Sequence, residues 1–295
     1  MTAGTSITPK TNNQLRLRDG RILAYAEYGD PDGAPVFFFH GMPGSRLEGA
    51  HAHEAAVLHH VRIISPDRPG YGLSTFQPRR VLLDWPGDVT QLADSLAIDR
   101  FAIVGVSGGG PYVAACALRI PQRLTRAVMV SGVGPFDAPG ATEGMSRQNR
   151  MLFAASRRAP ILVRVVMALM ARGMKRSPDR FMDRMLKSLP EPDRKVMADL
   201  ALRELFMQDA LESMRPGARG AAYESVMYAR PWGFRLEDIT MPVTLWQGDA
   251  DANVPVSMGR YQAQAIPNCD WRFFPGEGHM LIFSHMDELF ALIAR

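Results

Sequence analysis

Apolar positions fall into two rhythms along this chain. Short runs rich in Val, Ile and Phe, bounded by Gly, Pro and Asp, predict strands near Leu15–Leu17, Ile22–Tyr28, Val36–Phe39, Arg62–Ser65, Phe101–Val106 and Ala127–Ser131. Helical stretches separate the later runs, as at Leu83–Leu96 and Pro111–Arg119. Continuous apolar strands alternating with helices predict a mostly parallel sheet covered on both faces. The first two runs, split by Asp19-Gly20, predict an antiparallel hairpin at the sheet edge.

The rhythm changes after Gly134. From Phe136 to about Arg235 no strand pattern stands out, and Ile161–Met174 and Phe181–Leu189 carry helical spacing instead. Strand character returns at Val243–Gln247 and Trp271–Phe274. A closing amphipathic helix is expected, with Ile282, Met286, Leu289 and Ile293 on one face. The expected architecture is an α/β core made of residues 1–135 and 236–295, with a mostly parallel eight-stranded sheet flanked by helices. An all-helical cap, residues 136–235, is inserted after the sixth strand.

Composition narrows this picture only a little. Apolar residues make up 46% and charged residues 22% of the 295, enough to bury a substantial core. The polar amino end, MTAGTSITPKTNNQ, lacks an apolar h-region, so no signal peptide is expected. The longest apolar run, Ile161–Met170, is broken by Arg164 and falls short of the roughly 18 residues a membrane span needs. The two cysteines, Cys116 and Cys269, form neither a disulfide framework nor a metal site. A cytoplasmic protein is therefore expected. Charge is unevenly spread: residues 136–235 hold 18 Lys/Arg against 11 Asp/Glu, a net of +7 in a chain of net +4. That excess suits acidic substrates, a membrane surface or a solvated basic face. The 11 of 18 methionines in the same region suit an adaptable apolar lining, or plain packing of cap on core.

One serine carries the chemistry. Gly105-Val106-Ser107-Gly108-Gly109 is a G-x-S-x-G sequence lying between a predicted strand and a predicted helix, the context a nucleophile elbow requires. Such a turn holds the serine at strained dihedrals, and glycines at ±2 remove side chains where strand and helix press together. The helix amino end places the Gly108 N–H beside the serine oxygen. A serine needs a base, and His279 in Pro275-Gly276-Glu277-Gly278-His279 follows the last predicted strand in a glycine-bracketed loop. Two carboxylates follow the strand before it. Asp251 is the expected orienting acid, and Asp249 is the alternative, better suited to capping the turn. The order Ser, Asp, His, with the acid 28 residues ahead of the histidine, is that of a hydrolase built on this architecture. The strand Val36–Phe39 runs into His40-Gly41-Met42-Pro43-Gly44, where the Met42 N–H is expected to join that of Gly108 as an oxyanion donor. His40 is expected to brace that turn. His51, His53, His59 and His60 crowd one segment without a clean metal spacing, and no metal or cofactor is expected.

With these residues in place, the chain resembles the alpha/beta-hydrolase superfamily, in particular its serine hydrolases with a helical cap. The resemblance rests on HGMPGSR at His40–Arg46, PDRPGYGLS at Pro66–Ser74, GVSGGG at Gly105–Gly110, GDADANVP at Gly248–Pro255 and GEGH at Gly276–His279. It implies Ser107 as nucleophile, Asp251 as acid, His279 as base, and Met42 and Gly108 as oxyanion donors. Asp67 and Arg68 fit the family's structural turn after the fourth sheet strand. Members with an aspartate nucleophile are set aside by Ser107. Proline iminopeptidases typically carry HGGPG and a tryptophan after the nucleophile, where this chain has Met42 and Gly108. Cleavage of a carboxylic ester, lactone or thioester of a small to medium apolar molecule is the expected activity, with no nucleic acid partner. C–C hydrolase, amidase and cofactor-free haloperoxidase chemistry use the same residues, and a non-catalytic ligand receptor is the remaining alternative.

Overall fold

The computed structural model describes residues 8–294, so part of the polar amino-terminal stretch MTAGTSITPKTNNQ lies outside the described residues. Eight strands form one sheet: β1 Lys10–Arg16, β2 Ile22–Gly29, β3 Ala34–Phe39, β4 Val61–Pro66, β5 Phe101–Val106, β6 Leu124–Val130, β7 Val243–Gly248 and β8 Cys269–Phe274. Their spatial order is β1-β2-β4-β3-β5-β6-β7-β8. The pairs β1–β2 and β2–β4 are antiparallel, and the remaining neighbours in the sheet run parallel. The edge strand β1 is longer than its apolar residues suggest. It begins at Lys10 and pairs with Glu27 through a register shift before Asn13, because ladder bonds to β2 hold even its polar residues extended.

Helices α1 His53–Leu58, α2 Trp85–Ser95 and α3 Gly110–Arg119 fill the crossovers of the first half. Between β6 and β7 the chain forms six helices and, among the described residues, no strand. These are α4 Arg147–Arg158, α5 Pro160–Arg176, α6 Pro178–Ser188, α7 Glu191–Val196, α8 Leu200–Ser213 and α9 Arg219–Tyr228. Helices α10 Val256–Ala265 and α11 Met286–Ile293 complete the chain. The closing amphipathic helix is shorter than its periodicity predicts. Ile282 sits in a separate 3-10 turn, Leu281–Ser284, and His285 breaks the two apart, yet Ile282, Met286 and Leu289 are all buried.

Strand β5 is apolar on both faces, and β3, β6 and β7 are mostly so, because helices cover both sides. One core packs α2, α3 and α10 against Phe37, Phe39, Ile103 and Met129; the other packs α1 and α11 against Val36, Phe38, Val104 and Val128. The methionines of the helical segment mostly pack: Met167, Met174 and Met214 lie in one buried cluster, and Met182 and Met197 in another with Met280.

Candidate active site

The central parallel strands deliver the site, at their carboxyl ends. Strand β5 ends at Val106, and the chain turns at Ser107 with φ of 53°, a left-handed conformation that non-glycine residues adopt only under constraint. The constraint is visible in the neighbouring glycines. A methyl group on Gly105 would lie 2.5 Å from the Gly109 carbonyl oxygen, and one on Gly109 would lie 2.2 Å from that of Phe39. Strand β3 and the start of α3 are thus packed backbone to backbone around the serine.

The turn after β3 faces that elbow. A methyl group on Gly41 would lie 3.7 Å from the Ser107 Cβ, and one on Gly108 would lie 3.1 Å from the Met42 nitrogen. The backbone of Met42 therefore packs closely against Gly108, next to Ser107. Among the described residues the Met42 N–H has no hydrogen-bond acceptor.

The loops that follow β7 and β8 carry Asp251 and His279. Asp251 is buried and its Oδ2 accepts from His279 Nδ1 at 2.8 Å. Its Oδ1 accepts from the N–H groups of Asn253 and Val254, and Gln247 Nε2 donates to Oδ2 at 2.9 Å. Because the carboxylate can only accept, Nδ1 carries the proton, and in the neutral ring Nε2 is left with its lone pair. Asp249 has a different place: its Oδ1 accepts from Gly276 N–H at 2.7 Å, tying the two loops together. Burial opposes charging of His279, but Asp251, then Asp193 and Glu48, outweigh it and raise its pKa above the usual histidine value.

His40 lies in the floor of the turn. Its Nδ1 donates to the Gly41 carbonyl at 2.8 Å while Nε2 accepts from the Arg68 N–H, and burial beside Arg68 keeps the ring neutral. Asp67 accepts from the Arg46 and Leu73 N–H groups at 2.6 and 2.9 Å and fixes the turn after β4. The four crowded histidines go separate ways. His51 packs edge-on to Phe283, His53 accepts from Gly29 N–H, and His59 and His60 pair with Asp287 and Asp30.

Four residues around the site carried no motif. Glu48, on the 3-10 turn Arg46–Ala52, accepts from Gly41 N–H at 2.7 Å. A methyl group on Gly41 would lie 3.5 Å from that same carboxylate, so Glu48 stands next to the turn that faces Ser107. Burial pushes its carboxyl up to about 7, against the pull of the Gly41 N–H, Arg68 and His279. Glu224, on α9, accepts from Arg68, Arg80, Tyr71 and Tyr112. Burial opposes its ionisation, but Arg68 above all holds its carboxyl far below the usual range. Tyr228, also on α9, donates to the Gly108 carbonyl at 2.6 Å. Asp193, on α7, accepts from Met280 N–H at 2.9 Å and packs against Gly278, where a methyl group would lie 2.3 Å from its Oδ1. Spacing could not have found them, because each acts on a turn that lies outside its own element.

Comparison with known proteins agrees with this architecture. A family model described as alpha/beta hydrolase fold matches residues 34–286, and the chain belongs to that family. A non-heme chloroperoxidase of Streptomyces lividans is 34% identical over 119 residues, 40% of this chain and 43% of that protein. The 2-hydroxy-6-oxo-2,4-heptadienoate hydrolase of Pseudomonas putida is 34% identical over 110 residues, 35% of this chain and 38% of that protein. The match thus spans less than half the length of these relatives. Among solved structures, the esterase RhEst1 from Rhodococcus sp. ECU1013 superposes with a TM-score of 0.69 at 20% identity, covering 97% of this chain and 99% of that one, a likeness of fold.

Proposed function

We propose that this protein is a serine hydrolase that cleaves a carboxylic ester through an acyl-enzyme. The observation that carries the reading is the hydrogen bond of 2.8 Å between His279 and Asp251, and it is supported by the left-handed φ of 53° at Ser107. In this reading His279 Nε2 takes the Ser107 hydroxyl proton as the oxygen bonds to the acyl carbon. The carbonyl oxygen becomes an oxyanion held by the N–H groups of Met42 and Gly108. Collapse breaks the ester C–O bond, and the imidazolium returns its proton to the departing alkoxide. Water then gives a proton to the same nitrogen as its oxygen bonds to the acyl carbon; the Ser107 Oγ–acyl bond breaks, the imidazolium returns the proton to Oγ, and the acid leaves. Asp251 keeps the imidazole in the required tautomer and stabilises its charged form. The helical segment 136–235 acts as the cap over the site and selects small to medium apolar substrates.

Hydrolysis of a carbon–carbon bond beside a carbonyl is the second reading. It is favoured by the stretch shared with the Pseudomonas putida hydrolase, named for a 6-oxo dienoate. A panel of p-nitrophenyl esters, lactones, anilides and 1,3-diketones separates the two. The proposal expects turnover of esters that disappears in Ser107→Ala; turnover of the diketones alone would overturn it in favour of the second.

A further inference from the structure

The helical segment carries a surface that the proposed chemistry does not use. From Gly144 to Pro178 there are eight Lys/Arg and no Asp or Glu. This stretch is α4 and α5, and among the described residues none of its eight cations is ion-paired with a carboxylate. An isolated basic run is usually just a solvated face. This one is different because of what lies between the cations.

Helix α5 is apolar on two faces. Val163, Met167, Ala171 and Met174 are buried against the α8–α9 side, in one cluster with Met214 and Ala222. The other face presents Ile161, Leu162, Val165, Val166, Leu169 and Met170, each between 37% and 80% exposed. Single exposed aliphatic residues are ordinary, but six on one face over three turns make a patch that marks an interaction surface. At 100° per residue, Arg164 and Lys175 flank this stripe, while Arg172 and Arg176 continue it toward the helix end. The stripe opens on a recess of about 630 Å³ between α5 and α6, whose walls include Met170, Phe181 and Met185 together with Arg176, Arg180 and Arg184. No carboxylate lines it.

From this we infer that α4 and α5 dock the protein on an anionic phospholipid bilayer, with the apolar stripe of α5 seated at the headgroup–acyl boundary and the arginines on lipid phosphates. A basic amphipathic helix with aliphatic residues on one face binds membranes this way. Charge complementarity singles out this occupant. A second copy seated on this stripe would set Arg164, Arg172, Lys175 and Arg176 against their own counterparts, whereas an anionic headgroup layer neutralises them. Attachment is peripheral, because no described helix is long and apolar enough to cross a membrane. The inference does not rest on the ester reading, and its test uses no enzymatic signal.

The full chain would be sedimented with vesicles of pure phosphatidylcholine and of phosphatidylcholine containing about 30% phosphatidylglycerol. Binding to the anionic vesicles at least tenfold tighter than to neutral ones, and weakened at about 0.5 M salt, is the expected result. Each basic side chain near the surface contributes about fivefold, so neutralising Arg157, Arg158, Arg164 and Arg172 to Gln together should cost several hundredfold. The pair Val165→Asp and Leu169→Asp should abolish binding while leaving the circular dichroism unchanged, which keeps a folding failure apart from a docking failure. Equal or absent binding to the two vesicle types would overturn the proposal. So would a concentration-dependent dimer in analytical ultracentrifugation that the Val165→Asp and Leu169→Asp pair dissolves, since that would make a second copy the occupant.

Discussion

Glu224 on α9 accepts two hydrogen bonds of 2.8 Å from Arg68, and Arg68 in turn donates to the carbonyls of His40 and Gly41. The helical segment thereby holds the backbone turn that faces Ser107, across 156 residues of sequence. Replacing Glu224 by Ala leaves Arg68 and Arg80 buried without a counter-charge. A broken buried pair costs about 3–5 kcal/mol, which urea unfolding would read directly. A loss below about 1 kcal/mol would contradict this account of the turn. Glu224→Gln keeps the shape, and its expected effect is a lower kcat with KM little changed.

The raised pKa of His279 gives a sign to the pH profile. The neutral imidazole is the active form, so kcat/KM should rise with pH through a midpoint above the usual histidine value of about 6.5. Asp251 is the largest of the favourable charges. Asp251→Asn should move the midpoint down and lower kcat by on the order of 10⁴. A midpoint that stays in place would mean that another group controls the profile.

Glu48 should act on the same limb from the other side. Its carboxylate is among the charges that raise His279, so Glu48→Gln should also shift the acidic limb to lower pH, by less than Asp251→Asn does. Gln retains an acceptor for the Gly41 N–H, and kcat should stay within about tenfold of wild type. Asp209, which accepts from Ser45 N–H and Oγ, has its own carboxyl raised by burial and then by Glu48. Asp209 should therefore titrate at lower pH in the Glu48→Gln variant, a change visible by carbon-13 NMR of labelled aspartate.

Two glycines should respond with opposite signs. Gly87 in α2 has no atom within 4 Å of the position a methyl group would take. Gly87→Ala should stabilise by about 0.5–1 kcal/mol through the unfolded chain. Gly109→Ala drives a methyl group to 2.2 Å from the Phe39 carbonyl and should destabilise by about 1–3 kcal/mol or more. Thermal unfolding of both variants measures the contrast.

The pattern of apolar runs was enough to read the sheet and its helical interruption, because strands covered on both faces become continuous Val, Ile and Phe. It read β1 too short, since ladder bonds rather than apolar side chains hold Lys10 to Gln14 extended. It also ran α11 into the preceding 3-10 turn, because burial alone does not reveal the break at His285. Around the candidate site, the bonded pair Asp251 and His279 and the left-handed turn at Ser107 were legible because each lies in a loop after a strand with its own local signature. Glu48, Glu224, Tyr228 and Asp193 were not. Each is an ordinary helical or turn residue whose meaning lies in a contact made only on folding, such as the bond from Tyr228 to Gly108.

The most direct test of the central claim is intact mass after exposure to a fluorophosphonate, for the wild type and for Ser107→Ala. An activated serine attacks phosphorus and expels fluoride, so the account predicts a single adduct on the wild type and none on the variant. An unmodified wild type, or an adduct that persists in Ser107→Ala, would contradict it.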